Sequence, residues 1–360
     1  MKYLFYIAHP KQVYMYRYVA LELLQDGHFC VFLAINKEIS CGLLEVFGME
    51  YYVIGDNKRT MLRKLLQQAV LFVRINIIVN RIIPDVYIGT AVPCLAITAR
   101  LRRKPYVLLE DTRAAERVDR LLMPFITAII TYKEFGVHFG RKHVKVNAIL
   151  EMLYLHDSVF VPDESVLKYF NFSKNEQFVI LRFVSWNAFH DVNKRGLSAA
   201  GKARVIDEFS KHARVIISTE YEIEEEYKHM CMSIPIHMIH SLEYYAELVF
   251  GESPTMTTEA AMLGTPSICV TSLADHSNNN FKVLKQYGLS EVYLPEDENT
   301  AILRGIEILK MNKKAEYRSR ASSFRNSHIN YVKFLKWYIT SIPDSIKEMK
   351  VDPEISERFY

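Results

Sequence analysis

Residues 247–271, ELVFGESPTMTTEAAMLGTPSICVT, limit the possible folds of this chain more than any other stretch. An apolar run, LVF, stops at a glycine, and Ser253 and Pro254 are typical of a helix N-cap and of the first helical position. Gly264 and Pro266 predict the end of that helix, and the apolar run that follows them predicts a second buried strand. The stretch therefore predicts a β-α-β unit of a parallel α/β sheet.

The start of this predicted helix has the chemistry of an anion site. A helix N-terminus offers N–H groups without intrahelical partners and the positive end of the helix dipole, which suits a phosphate. The hydroxyls of Ser253 and Thr255 lie beside these groups, and Glu259 lies about one and a half turns deeper. A carboxylate there can accept hydrogen bonds from two neighbouring ribose hydroxyls. A capped helix with a solvated Glu259 accounts for the same residues, so both interpretations stay open here.

Composition indicates a globular protein with two domains. The chain has 360 residues, of which 50% are hydrophobic and 24% charged. Its five cysteines are scattered without metal-ligand spacing, which is typical of a reducing compartment. It has no signal-peptide pattern and no run of about eighteen apolar residues. We therefore expect a cytoplasmic protein that does not span a membrane.

Basic residues are concentrated in the first half. Residues 1–160 contain 21 Lys and Arg against 14 Asp and Glu. The segments 58–81 and 100–104 hold most of the clustered charge and suit contact with acidic lipid headgroups at the inner face of the cell membrane. A core-facing helix with a solvated basic rim is the alternative interpretation. We expect no nucleic-acid partner, because no binding motif accompanies the charge.

Polar side chains follow two predicted strands of the first half. Residues 3–8 predict a strand that breaks at His9, with a helix from Tyr14 onward. Open α/β sheets bind ligands at the carboxyl ends of their strands, where His9 would lie. Glu110 and Asp111 follow a second predicted strand and could act as a general base or order substrate hydroxyls. Capping of a helix by Asp111 is the alternative.

The second half begins with a predicted linker, 162–176, and a strand over 178–183. The polar loop after that strand contains donors for diphosphate oxygens in Asn187 and His190, with Arg182 at the strand end. His240 lies in a segment whose backbone groups could meet the edge of a nucleotide base.

These motifs resemble those of GT-B glycosyltransferase-type proteins, and more closely those of the family called domain of unknown function 354. The matching motifs are the HP loop, PDVYIGT, LLEDT, RFVSWNAFHD and GESPTMTTEAAMLGTPSI, across roughly residues 1–310. That family is similar to UDP-GlcNAc 2-epimerases and to the lipid-acceptor GlcNAc transferase of peptidoglycan synthesis. The resemblance implies two Rossmann-like domains facing across a cleft: an acceptor domain at 1–161 and a nucleotide-sugar domain at 162–327. The segment 328–360 would supply a helix that crosses back.

The resemblance also implies roles for individual residues. Glu259 resembles the ribose-binding Glu, Ser253 and Thr255 the phosphate-binding turn, and His9 the first-loop His of the lipid-acceptor enzyme. Arg113 stands where relatives continue with an acid, and Thr90 stands where the epimerases would have one. The expected catalytic residues are His9, Glu110 and Asp111, and the expected donor-binding residues are Arg182, Asn187, His190, His240, Ser253, Thr255, Met256 and Glu259.

The function implied by this resemblance is glycosyl transfer. We expect a sugar to move from a UDP-linked donor to a glycan or polyprenyl-linked acceptor in surface polysaccharide synthesis. The sequence has no D-x-D pair of the metal-binding type, so we expect neither a metal nor a cofactor besides the donor substrate. A nucleotide-sugar 2-epimerase and a non-catalytic sugar-nucleotide binding protein are the two alternatives.

Overall fold

The chain folds into two compact units, one formed by Met1–Val159 with His328–Tyr360 and the other by Phe160–Ser327. The computed structural model describes residues 1–36, 38–56, 61–173, 176–185, 195–272, 279–311 and 313–360.

The first unit contains a seven-stranded parallel sheet with the order β3-β2-β1-β4-β5-β6-β7. The strands at the centre of this sheet are buried on both faces, as parallel strands covered by helices require, whereas Tyr52 and Val53 on an edge strand are exposed. The strands are β1 (Lys2–Ile7), β2 (Phe29–Asn36), β3 (Tyr51–Asp56), β4 (Val86–Gly89), β5 (Tyr106–Leu109), β6 (Ala128–Tyr132) and β7 (His143–Val146).

Six helices follow these strands, and two more come from the C-terminal segment. The first six are α1 (Pro10–Gln25), α2 (Glu38–Val46), α3 (Met61–Ile82), α4 (Pro93–Leu101), α5 (Glu116–Leu122) and α6 (Met152–Leu155). The second unit supplies α7 to α13, and the last two helices are α14 (Tyr331–Thr340) and α15 (Asp344–Val351). Helix α14 packs on α1, where the Lys336 ammonium lies 2.9 Å from the Asp26 carboxylate.

Helix α1 begins at Pro10, four residues before the predicted start at Tyr14. Proline fits the first helical position because its missing N–H would have no intrahelical partner there. The His9 side chain accepts a hydrogen bond from the Lys11 N–H, and the Gln12 side chain accepts one from the His9 N–H at 3.1 Å. The break that the sequence indicated at His9 is therefore a helix cap.

Helix α3 is a single helix whose surface is partly apolar. Val70, Val73 and Ile77 are about half exposed, and Arg74 and Arg81 are exposed beside them. The helix covers most of the basic segment 58–81. No helix among the described residues is both long enough and apolar enough to cross a membrane.

The second unit contains a five-stranded parallel sheet with the order β12-β11-β10-β8-β9. The strands are β8 (Phe178–Phe183), β9 (Arg214–Thr219), β10 (Leu248–Gly251), β11 (Ser267–Val270) and β12 (Ser290–Tyr293). The helices are α7 (Ser165–Tyr169), α8 (Ala199–Ser210), α9 (Ile239–Tyr245), α10 (Pro254–Met262), α11 (Asn279–Gln286), α12 (Glu298–Met311) and α13 (Lys314–Asn326). Helix α7 lies within the segment predicted as a linker, where buried Val166 and Phe170 anchor it to the core.

The β10-α10-β11 unit has the local structure that its sequence predicts. The Ser253 hydroxyl caps α10 by accepting a hydrogen bond from the Met256 N–H, and Pro254 occupies the first helical position. Gly264 follows the helix with φ of +78°, a conformation that a residue with a Cβ rarely adopts. The predicted strand-loop-helix-strand order is confirmed.

We expect Gly251→Ala to destabilise the second unit by at least about 2 kcal/mol, because the added Cβ would clash with the backbone carbonyl oxygen of Arg182 on β8. Denaturant unfolding would measure this loss. Gly42→Ala in α2 is the control, since no atom lies within 4 Å of its added Cβ. It should be neutral or stabilising by about 0.5–1 kcal/mol. Equal stability of the two variants would contradict the close approach at Gly251.

Candidate functional site

An ion-paired cluster occupies the carboxyl end of the sheet in the first unit. Lys11, in the first turn of α1, places its ammonium 2.6 Å from the Asp111 carboxylate and 2.8 Å from the Glu151 carboxylate. Asp111 follows β5, and Glu151 directly precedes α6. One cation therefore connects three parts of the chain beside His9.

This arrangement affects the two carboxyls differently. Burial favours protonation of Asp111, but the charge of Lys11 and its hydrogen bond outweigh this effect and lower the pKa of Asp111. For Glu151, burial outweighs the same cation and raises its pKa. Burial alone would lower the pKa of Lys11, but Asp111 and Glu151 raise it above the ordinary lysine value. Lys11 and Asp111 are thus a charged pair, which makes Asp111 a weak base.

Glu110 has the opposite character. Its carboxyl is buried and accepts hydrogen bonds from the Asp111 N–H at 3.0 Å and the Thr112 N–H at 2.7 Å. Burial, together with the charges of Asp111 and Asp119, raises the pKa of Glu110 to about 8. A carboxyl with a pKa in this range can both accept and release a proton near neutral pH.

Asp119 is a further buried acid that sequence reasoning missed. It lies on α5 with no solvent exposure, and neither carboxylate oxygen has a hydrogen-bond partner among the described residues. Burial and the charge of Glu116 raise the pKa of Asp119 to about 7. Its only sequence signal is an acid among the apolar positions of a short helix.

His9 is exposed and acts as the cap of α1. Its Nδ1 accepts the Lys11 N–H at 3.2 Å, so in the neutral ring the hydrogen is on Nε2. To accept a proton at Nδ1, the neutral His9 ring would have to release this cap. The catalytic role predicted for His9 stays a prediction, and so do those of Glu110 and Asp111.

In the second unit, the first turn of α10 is the accessible part of the predicted donor site. Ser253, Thr255 and Met256 are partly exposed, whereas the helix is buried from Thr257 onward. The Thr257 hydroxyl donates to the Ser253 carbonyl oxygen at 2.9 Å and so cannot donate to a ligand at the same time. The hydroxyls of Ser253 and Thr255 are therefore the candidates for contact with a ligand at the helix start.

Glu259 lies deeper on the same helix and is only 4% exposed. Its carboxylate oxygen Oε1 is 3.4 Å from Nε2 of His240 on α9. The structure thus brings together two of the predicted donor-binding residues. Glu243, which sequence reasoning missed, completes the cluster: among the described residues, these three offer ligand-type atoms within 4.8 Å of one another. Such a set could hold either protons or a metal ion.

Glu252 is a second residue that sequence reasoning missed, although it directly precedes Ser253. Its buried carboxylate accepts the Val184 N–H at 3.0 Å and the Leu197 N–H at 2.8 Å, and the Lys202 ammonium lies 3.3 Å away. Val184 and Leu197 flank the polar loop after β8. Glu252 therefore fixes both ends of this loop beside the start of α10.

Arg182 lies on β8, paired in register with Gly251. Its guanidinium donates to the Ser218 hydroxyl at 2.9 Å and to the Glu220 carboxylate. Arg182 thus connects β8 to the end of β9, and a diphosphate would compete with Glu220 for it. Asn187 and His190 lie outside the described residues, and their predicted roles stay predictions.

Solved structures with this architecture include enzymes that act on nucleotide sugars. UDP-GlcNAc 2-epimerase from Neisseria meningitidis, solved with UDP-GlcNAc bound, is 12% identical with a TM-score of 0.60, over 99% of this chain and 100% of that one. MurG from Acinetobacter baumannii is 13% identical with a TM-score of 0.56, over 95% and 100%. The glycosyltransferase SsfS6 from Streptomyces sp. SF2575 is 10% identical with a TM-score of 0.59, over 93% and 99%. Identities this low show the fold alone, and they confirm the predicted GT-B type.

The family follows from the sequence. A model of the family described as "Protein of unknown function (DUF354)" matches residues 7–318, so the chain belongs to that family, as its motifs predicted. A search of curated protein sequences finds none that matches it significantly.

We expect Glu110→Gln to change how stability depends on pH. Because the native pKa of Glu110 is above its unfolded value, the native state binds the extra proton, and stability falls as pH rises from about 4.5 to about 8. The variant should equal the wild type near pH 5 and be more stable at pH 9, by up to about 4 kcal/mol. Denaturant unfolding across this range measures the difference.

Glu134→Gln, which removes an exposed carboxylate from the same unit, is the control. It accounts for the effect of removing one negative charge from this unit. A constant difference between wild type and Glu110→Gln at pH 5 and pH 9 would contradict the raised pKa.

Proposed function

We propose that this protein is a glycosyltransferase that moves a sugar from a UDP-linked donor to a hydroxyl of a glycan or polyprenyl-linked acceptor. The observation that carries the proposal is the construction of α10. Its first turn is accessible and begins with a hydroxyl cap, while Glu259 is buried further along the helix and held against His240. A helix start suits a diphosphate, and a carboxylate further along the helix can accept hydrogen bonds from two neighbouring ribose hydroxyls.

On the donor side, the start of α10 supplies the electrostatic stabilisation. As the acceptor oxygen bonds to the anomeric carbon, the bond from that carbon to the diphosphate breaks and negative charge develops on the leaving UDP. The N–H groups and dipole of the helix start can stabilise that charge without a metal. Glu252 would keep the loop after β8 in position beside it. The GT-B fold of glycosyltransferases and epimerases supports this assignment.

On the acceptor side, transfer requires a group that takes the acceptor's proton, and we propose that the first unit supplies it. Asp111 is neutralised by Lys11 and has a lowered pKa, and His9 uses Nδ1 as a helix cap. The pKa of Glu110, about 8, matches a proton acceptor that works near neutral pH. We therefore assign the proton transfer to Glu110 and an ordering role to the Lys11–Asp111 pair.

We propose that the exposed surface of α3 contacts acidic lipids, which would place the enzyme in the cytoplasm at the inner face of the membrane. Val70, Val73 and Ile77 present apolar surface, and Arg74 and Arg81 present positive charge beside it. This combination is typical of helices that bind in the plane of a membrane interface. It would bring a polyprenyl-linked acceptor to the first unit.

We expect Glu259→Ala to raise the Kd of UDP at least about tenfold, because a charged hydrogen bond to the ribose hydroxyls is lost. Isothermal titration with UDP and with 2′,3′-dideoxy-UDP measures this loss. The variant should bind the dideoxy compound as the wild type does. Glu225→Ala, which removes an exposed carboxylate from the same unit, is the control and should leave both affinities unchanged. A Glu259→Ala variant with wild-type affinity for UDP would contradict the proposal.

A nucleotide-sugar 2-epimerase is the second candidate. Such an enzyme removes the proton beside the anomeric carbon and expels UDP, which requires protein groups that exchange protons. Glu110 and Asp119 are two buried carboxyls with pKa values raised to about 8 and about 7, so an epimerase could draw on a second proton-exchanging acid besides the one assigned to transfer.

Incubation with a panel of UDP-sugars in D₂O distinguishes the two reactions. Transfer predicts that UDP release depends on an added acceptor and that recovered donor contains no deuterium at C2. Deuterium at C2 in the absence of an acceptor would contradict transfer and would support epimerisation. Binding of UDP without either reaction would instead indicate a non-catalytic sugar-nucleotide binding protein.

A further inference from the structure

Glu243 is a buried acid without a described partner, next to the acid proposed to bind ribose. It lies on α9 with no solvent exposure, and neither carboxylate oxygen has a hydrogen-bond partner among the described residues. A buried polar group left without a partner costs stability, so its presence requires an explanation.

Its nearest ionisable neighbours are the two other members of the cluster. His240 lies three residues earlier on the same helix face, and Glu259 projects from α10. One ligand-type atom from each of the three side chains lies within 4.8 Å of the other two. Two carboxyls this close inside a protein cannot both be ionised without a compensating cation.

No cation of the packed elements compensates Glu243 among the described residues. On α13, the Lys314 ammonium lies 3.0 Å from the Glu247 carboxylate and the Arg318 guanidinium lies over the Tyr244 ring. Burial and the charge of Glu259 therefore raise the pKa of Glu243 well above its ordinary value.

Other titratable side chains near α9 are exposed or half-buried, the latter including Tyr244 and Tyr245 of α9 itself. Lys168 and Tyr169 of α7, which packs against α9, are exposed, and so is His237 in the turn that precedes α9. Among the described residues, the charge that acts on Glu243 is therefore that of Glu259.

We propose that Glu243 is a positioning residue for donor binding: kept neutral in the core, it donates its carboxyl hydrogen to Glu259 and holds that carboxylate ionised and oriented toward the ribose hydroxyls of a nucleoside diphosphate. The structure does not contain this hydrogen bond, so its formation requires a change of side-chain torsions. This inference rests on the proposed role of Glu259.

The consequence is a dependence of ribose recognition on pH. When Glu243 loses its proton, it repels Glu259 and no longer donates to it. Recognition of the ribose hydroxyls then weakens, while contacts with the base and the diphosphate persist. Gln at position 243 still donates a hydrogen but cannot ionise, whereas Leu can do neither.

The test measures the ratio of the Kd for 2′,3′-dideoxy-UDP to the Kd for UDP from pH 7 up to the highest pH at which the protein stays folded. Titration of the uracil and the diphosphate affects both ligands and cancels in this ratio. For the wild type, the ratio should be at least about ten at pH 7 and fall as pH rises. It should stay high at every pH in Glu243→Gln and stay low at every pH in Glu243→Leu. Glu225→Gln is the control and should follow the wild-type profile.

The possible results of this experiment separate the proposed function from the role of Glu243. A wild type that does not bind UDP overturns the proposed function and this inference together. A wild type that recognises the ribose, with the same pH profile in Glu243→Gln, overturns this inference alone. If Glu243→Leu fails to fold, the comparison of wild type with Glu243→Gln is sufficient. Thermal unfolding with zinc provides a separate check: zinc that stabilises the wild type but not Glu243→Gln would make the cluster a metal site and overturn the proton-sharing role.

Discussion

The burial of Glu259 is the constraint on which the candidate donor site depends. A carboxylate on the core side of a helix needs a partner, because an isolated buried charge costs far more than a folded domain can spare. His240 lies at 3.4 Å and Glu243 lies close by, so the charge is held at a fixed place behind the accessible helix start. A solvated carboxylate would have no such fixed position. The packing of α9 against α10 therefore determines where a ribose could bind.

In the first unit, one cation stabilises a buried and a half-buried carboxylate. Lys11 is shared by Asp111 and Glu151. Glu110, at the adjacent backbone position, has no ion-pair partner among the described residues and accepts hydrogen bonds from two N–H groups. Neighbouring acids consequently differ in their proton affinity. The charged pair can order polar groups of a substrate, and Glu110 can exchange a proton. Parallel strands make this possible, because their carboxyl ends meet at one edge of the sheet.

Features that depend on local sequence could be predicted. Neighbouring residues predict that Ser253 caps α10, that Gly264 ends this helix in a left-handed conformation and that Glu110 follows β5. The start of α1 could not be placed correctly, because His9 was interpreted as a break although a histidine side chain can also cap a helix. The contact of Lys11 with Asp111 joins residues 100 positions apart, and no local pattern indicates it. The spacing of Glu243 from His240 indicates that both lie on one face of a helix. The proximity of Glu243 to Glu259 depends on how α9 and α10 pack, which no local pattern indicates.

A crystal structure of the protein with UDP would test the central claim most directly. We predict that the diphosphate lies against the N–H groups of the first turn of α10. Both ribose hydroxyls should lie within hydrogen-bond distance of the Glu259 carboxylate. A nucleotide bound elsewhere on the second unit, or bound at α10 with its ribose directed away from Glu259, would contradict it.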